Sequence, residues 1–350
     1  MFPETGDGNR TSNCNRSSCD GETEVQSGYI VCQGCIDSNT LPTWNWETPP
    51  ITPSVSLFSL FFHLTDGTGN EAWSKNFPTC EGKKQSPIDI QTNKLLENKS
   101  LQPLVLKGYE AQSGHFPLIN NGHSVQWTLP ANMHIIEGLP YEFTAVQLHL
   151  HWRNATQFHG SEHTINGVPA DSELHIVHFN SEKYQSFEEA QDKPDGLAVI
   201  AILITAEKNN KNIYYENLFS NLHKIQNPGE NVTLTFIDVQ HMLPCNLKRY
   251  YRYYGSLTTP PCTENVIWTV LAEHVFISTE QLYKLFSLKD NFSHSLQNNF
   301  RHVQPLNERI VQSSFPPEEA EGSQLVRCSW SKSHSKQQFK SHRTSSEERS

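Results

Sequence analysis

The chain predicts a single α+β domain, mainly β, organised on one large sheet. Three observations carry that expectation. Period-two alternation, which sends residues i and i+2 out of one strand face about 6.5–7 Å apart, recurs at 123–129, 145–152, 173–179 and 232–237. The run 197–204 is apolar at every position, as a strand is when both of its faces are covered. Helical signals are few and short, and all the periodic segments fall between about residue 70 and residue 315 of 350, within reach of one core.

Taken in order, residues 1–53 are rich in Asn, Ser, Thr, Gly and Pro without sustained periodicity, and a disordered extension is expected over 1–65. Within them Cys14, Cys19, Cys32 and Cys35 are spaced C-x4-C and C-x2-C, which favours local disulfides over a zinc knuckle. Glu4 and Asp7 follow Met1 where a secretory signal would place a basic and then an apolar region. The one stretch of that apolar kind is 54–62, read as a displaced signal-peptide remnant, the authentic first exon lying elsewhere, with an apolar segment packed on the domain's edge as the alternative. The folded domain is expected over 66–316. There the strand at 123–129 follows a turn, Asn120-Asn121-Gly122, and the strands at 145–152 and 173–179 are joined by a polar, Gly-containing connection as antiparallel neighbours. Ser278 followed by Gln281 is a capping box, opening a helix that carries Leu282, Leu285 and Phe286. Residues 317–350, rich in Ser, Lys, Arg and Glu, read as a solvated, disordered tail.

The formal charge is −10 and no Lys/Arg stripe is present, which argues against a nucleic-acid partner. No apolar run reaches the roughly 18 residues that a membrane-spanning helix needs, so a soluble protein without a transmembrane segment is expected. No H-E-x-x-H occurs, which disfavours a metallopeptidase.

Chemistry concentrates at 147–180. His149 and His151, two apart on one strand, share a face, and His175 comes up on the next strand. Three neutral imidazoles leave one corner of a zinc tetrahedron open, the ligand count of a catalytic site. Gln147 and Glu173 each stand two residues before a ligand on the same face, where each can hold a ring's second nitrogen. In a chain with 17 histidines the H-x-H pair by itself fits ordinary core histidines equally well, and His163 and His178 are read as core or supporting residues.

The ordered motifs QSPIDI (85–90), NNGHSVQW (120–127), QLHLHW (147–152), GSEHT (160–164), ELHIVHFN (173–180), DGLAVIAILI (195–204), YGSLTTPPCTENVIW (254–268) and QPLNERIV (304–311) resemble the α-class carbonic anhydrases from about Trp73 to Phe315. DVQHMLPCNL at 238–247 is most similar to the secreted members of that family. The resemblance implies a twisted, mostly antiparallel central sheet, short peripheral helices and zinc at the base of a conical cleft. It implies reversible hydration of carbon dioxide to bicarbonate and a proton by a zinc-bound hydroxide, whose formation near pH 7 is characteristic of this family. Sulfonamides and anions are the inhibitors it implies.

By the same resemblance Thr258 accepts the hydroxide's proton in a hydrogen bond and donates its own to Glu162, while Thr259 lies near the anion. Val177, Val199, Leu257, Val266 and Trp268 match the apolar wall for carbon dioxide. His123 matches the proton shuttle, with Asn121 and Gln126 holding the intervening waters. Cys80 and Cys262 match a disulfide of secreted members, which implies an oxidising compartment. Glycosylation sequons at Asn98, Asn154, Asn231 and Asn291, with Asn9 and Asn15 before them, also weigh toward a secreted, extracellular glycoprotein. Cys245 and Cys328 have no obvious partner.

Two departures stand out. Arg153 occupies the family's usual glycine after H-x-H-W, and its side chain is expected to turn outward or crowd the next turn. The Trp-x-Tyr segment that usually opens the domain is missing before Trp73. A catalytically weak relative serving as an extracellular binding module is the alternative function; such relatives have lost zinc ligands, and here all three histidines remain.

Overall fold

The computed structural model describes residues 73–317. The expected N-terminal extension with its 54–62 stretch, the four N-terminal cysteines, Cys328 and the tail beyond Pro317 lie outside the described residues.

One 13-stranded sheet organises the domain. Its main path runs Asn231–Ile237, Gln112–Asn120, Val125–Thr128, Phe143–Trp152, Ser172–Asn180, Leu197–Glu207, Val266–Leu271, Tyr250–Gly255, Gln312–Ser313 and Leu96–Glu97. Most pairs are antiparallel, as expected, but the central strand Leu197–Glu207 pairs in parallel with both Val266–Leu271 and Val275–Ser278, which makes the sheet mixed. That central strand is apolar from Leu197 to Ile204 because each side of it faces a core there. Ala198, Ile200, Ile202 and Ile204 join one cluster, and Leu197, Val199, Ala201 and Leu203 join the other.

The expected strand 123–129 is Val125–Thr128 in the structure. It begins late because the preceding residues close a turn: Gly122 takes φ +83°, and the Asn121 side-chain oxygen accepts the backbone N–H groups of His123 (3.0 Å) and Ser124 (2.8 Å). Helices are short. The capping box opens Thr279–Lys284, with Ser278 Oγ accepting from Gln281 N at 3.1 Å and Gln281 Oε1 from Ser278 N at 3.0 Å. The α-helix ends at Lys284, and Leu285 and Phe286 continue in a 3-10 turn, Leu285–Ser287.

Two covalent and ionic features tie the site-bearing segments together. Cys80 and Cys262 form a disulfide across 182 residues of sequence, packed beside Trp73 and Phe77. Cys245 is disulfide-bonded as well. Arg153 neither turns outward nor crowds its neighbours. It is 8% exposed, its Nε donates to Asp171 Oδ1 at 2.7 Å, and its Nη1 donates to the Asn154 carbonyl at 2.9 Å. The Asp171 carboxylate supplies the acceptor and charge that make burial of a guanidinium tolerable there.

Candidate active site

Register alone brings three imidazoles to one spot. His149 lies directly across from His175, and His151 across from Glu173, on the antiparallel pair Phe143–Trp152 and Ser172–Asn180. Because side chains alternate, Gln147, His149, His151, Glu173, His175 and Val177 share one face, while Leu148, Leu150, Leu174 and Ile176 enter the core on the other. His178 falls on that other side, where Tyr109 OH bonds its Nε2 and its Nδ1 faces the Ala198 carbonyl at 3.3 Å.

Each of the three rings has one nitrogen tied to an oxygen acceptor. His149 Nδ1 meets Gln147 Oε1 at 2.9 Å, His151 Nδ1 meets the Asn299 carbonyl at 2.6 Å, and His175 Nε2 meets Glu173 Oε1 at 2.6 Å. An oxygen acceptor takes the ring's proton, so the remaining nitrogen of each ring presents a lone pair. The three histidines offer one nitrogen each within 4.8 Å of one another, and the Nε2 atoms of His149 and His151 are 3.1 Å apart. Two nitrogens bound at 2.0–2.1 Å in a tetrahedron stand about 3.3–3.4 Å apart. With each ring's proton assigned to its oxygen acceptor, lone pairs at such a separation suit a cation.

The electrostatics point the same way. Burial holds the His149 pKa well below 6.5, helped by the neighbouring His151 and His175, and burial lowers His151 against the pull of Glu162. Neutral rings are what a metal requires. Burial pushes the Glu173 carboxyl up, but His163 and His175 together overcome it and hold Glu173 well below the usual carboxylate range. Glu173 is a hub. Its Oε1 also receives His163 Nδ1 at 2.6 Å, and its Oε2 accepts the backbone N–H of Glu162 (2.9 Å) and of His163 (2.8 Å). His163 Nε2 continues to Tyr253 OH at 2.7 Å, and Tyr253 donates to Ser86 Oγ at 2.9 Å.

Glu162 is fully buried beside the cluster. Its Oε1 accepts the Arg301 backbone N–H at 2.9 Å and lies 3.6 Å from His151 Nδ1. Its Oε2, 3.9 Å from His175 Nδ1, has no hydrogen-bond partner. Thr258 is 6% exposed, and no hydrogen bond joins it to Glu162 among the described residues. The Thr258 loop is bounded by the disulfide, and Cys262, at φ 56°, sends its N–H to the Thr259 carbonyl at 2.9 Å.

The apolar residues fall in register with the histidines. Val177 pairs with Val199 and Val199 with Trp268, one pleat from His175. Val177, Val199, Val266 and Trp268 are buried in the second core, and Leu257 packs against it. On the opposite flank Gln126 lies across from His149, and its Oε1 accepts from Asn121 Nδ2 at 3.4 Å. His123 is half-buried, and burial lowers its pKa from 6.5 while Asp290 opposes the shift. Of the sequons, Asn231 and Asn291 are exposed and Asn98 and Asn154 partly so.

Sequence reasoning missed Asn299 and Arg301. The Asn299 carbonyl fixes His151, its Oδ1 accepts Trp152 N at 2.8 Å, and its Nδ2 donates to the His123 carbonyl at 2.8 Å. The Arg301 guanidinium donates to Gln85 Oε1 (2.8 Å) and to the carbonyls of Ser86 (2.9 Å) and Cys80 (3.1 Å). Both residues act largely through backbone groups or span more than a hundred residues, so neither leaves a local pattern to read.

A family model of the eukaryotic-type carbonic anhydrases matches residues 68–315. The chain is 47% identical over 279 residues to carbonic anhydrase 6 of Homo sapiens, covering 76% of this chain and 90% of that protein. It is 48% identical over 255 residues to carbonic anhydrase 6 of Canis lupus familiaris, covering 72% and 79%. It is 44% identical over 254 residues to carbonic anhydrase 12 of Homo sapiens, covering 71% of each. Among the described residues no helix is long and apolar enough to cross a membrane.

Proposed function

Because the chain belongs to the eukaryotic-type carbonic anhydrase family and is a carbonic anhydrase, we propose that it hydrates carbon dioxide at a zinc ion held by His149, His151 and His175. The family acts on carbon dioxide and bicarbonate, depends in general on zinc and is inhibited by sulfonamides. One observation carries the assignment: three imidazoles meet at one spot, each with its other nitrogen at an oxygen acceptor of Gln147, Asn299 or Glu173 that takes the ring's proton. When bound, zinc supplies Lewis acidity that brings the pKa of water toward neutrality, as in this family generally.

The remaining work belongs to the chain's own groups. Gln147, the Asn299 carbonyl and Glu173 hold the rings in the binding tautomer. The free Oε2 of Glu162 is a buried acceptor awaiting a donor, and the Thr258 hydroxyl is the donor we assign to it. With its proton committed to Glu162, Thr258 Oγ1 can only accept from the reacting water, which orients that water's lone pair. Val177, Val199, Leu257, Val266 and Trp268 form a dry wall for a small apolar substrate, and Thr259 stands by for the anionic product. His123 takes the released proton toward solvent, with Asn121 and Gln126 positioning water between. The disulfide and the sequons at Asn98, Asn154, Asn231 and Asn291 support a secreted, glycosylated protein.

His175→Ala tests the centre. The variant should retain little zinc, lose carbon dioxide hydration in stopped flow, and show no calorimetric site for a primary sulfonamide, which binds as an anion at the open metal position. A zinc-replete, active variant would refute the ligand set.

A further inference from the structure

The turn that carries His123 rests on a second loop, 290–294, to which the reaction as described assigns no part. A Cβ built on Gly122 would stand 2.3 Å from the Asn291 side-chain amide, so the two loops are in contact. The Asn120 amide clamps the loop's entry by donating to the carbonyls of Gln226 (3.1 Å) and Lys289 (3.0 Å). Within the loop Asp290 is 6% exposed, and its Oδ1 accepts the backbone N–H of Phe292 (2.9 Å) and of His294 (2.8 Å). Its Oδ2 lies 3.6 Å from Nδ1 of His294, whose side chain is 77% exposed. Asp290 is also the charge that opposes the effect of burial on His123. Lys289, the adjacent cation, acts instead on Glu230.

We propose that this loop is the outer stage of proton release, with His294 as a second carrier after His123 and Asp290 as the carboxylate that orients it. The proposal rests on the assignment of His123 as the first carrier. His123 is half-buried and therefore poorly placed to meet a large buffer base, whereas His294 stands in solvent. Imidazole changes charge near neutral pH, so a second histidine can take the proton that the first releases. In the transfer one N–H bond of the His123 imidazolium breaks and one forms on neutral His294 through solvent water, with no change in total charge. His294 then gives the proton to buffer, and Asp290 undergoes no net change.

The test is stopped-flow hydration by the full, zinc-loaded protein in dilute and in concentrated buffer, comparing His294→Ala, Asp290→Asn, His123→Ala and the double variant His123→Ala/His294→Ala. In dilute buffer His294→Ala should lower kcat by more than about twofold with kcat/KM unchanged, and added imidazole should restore it. Asp290→Asn should act in the same direction, and the double variant should be no slower than His123→Ala, because the carriers act in series. If His294→Ala keeps full kcat while His123→Ala loses it, the outer stage is wrong and the first carrier stands. If His123→Ala keeps full kcat, both assignments fall. A drop in His294→Ala that imidazole cannot relieve, or that appears equally in kcat/KM, marks a structural effect and also overturns the proposal.

Discussion

Replacing Glu173 by Gln changes one atom and should loosen the metal by one to two orders of magnitude. Glu173 accepts four hydrogen bonds: His163 Nδ1 and His175 Nε2 at Oε1, both 2.6 Å, and the backbone N–H groups of Glu162 and His163 at Oε2, 2.9 and 2.8 Å. An amide nitrogen cannot accept any of them. Placed at the Oε2 position it faces two backbone donors, and each donor left unpaired in the core costs about 1–3 kcal/mol. Placed at the Oε1 position it presents N–H to His175 Nε2, which is relieved when His175 moves its proton to Nδ1, the nitrogen required by the metal. The first placement costs fold stability and so favours the second, which weakens zinc binding; loss of a ligand's supporting partner typically costs 10- to 100-fold in metal affinity, or about 1.4–2.7 kcal/mol. Competition of the apo protein against a chelator of known affinity near neutral pH measures this directly. An unchanged zinc affinity in a folded Glu173→Gln variant would refute the claim that tautomer control by Glu173 makes His175 a ligand.

Two further outcomes follow from burial and cross-linking. His178 is pushed down to about 3 by burial, so between pH 6.5 and that value the unfolded chain binds a proton that the folded one refuses. Stability is therefore undiminished above pH 6.5 and is lost as pH falls, by about 2 kcal/mol at pH 5 from this residue. Urea unfolding at pH 7 and pH 5 should show that much less acid loss in His178→Gln than in the parent, and equal losses would contradict the buried neutral assignment. Removing the Cys80–Cys262 bond, which spans 182 residues, by Cys80→Ser/Cys262→Ser should cost up to about 5 kcal/mol through the longer reach of the unfolded chain. Peptide mapping that finds both thiols free in secreted protein would remove the premise of that estimate.

The two histidine-bearing strands were legible from order alone because a strand's period of two forces His149 with His151, and Glu173 with His175, onto one face wherever the sheet goes. The apolar run at 197–204 announced a strand covered on both sides, and Ser278 with Gln281 announced a helix start, since both signals are local. Tertiary structure alone decided the rest. The parallel pairing of the central strand, the Gln112–Asn120 strand with Gly114 and Pro117 in its middle, and the burial of Arg153 against Asp171 depend on partners distant in sequence. So does the anchoring of His151 in the candidate metal site by Asn299, 148 residues away, through a backbone carbonyl that every residue type possesses. Side-chain identity carries what a residue can do, but a main-chain acceptor gains its role only from where the folded chain sets it down.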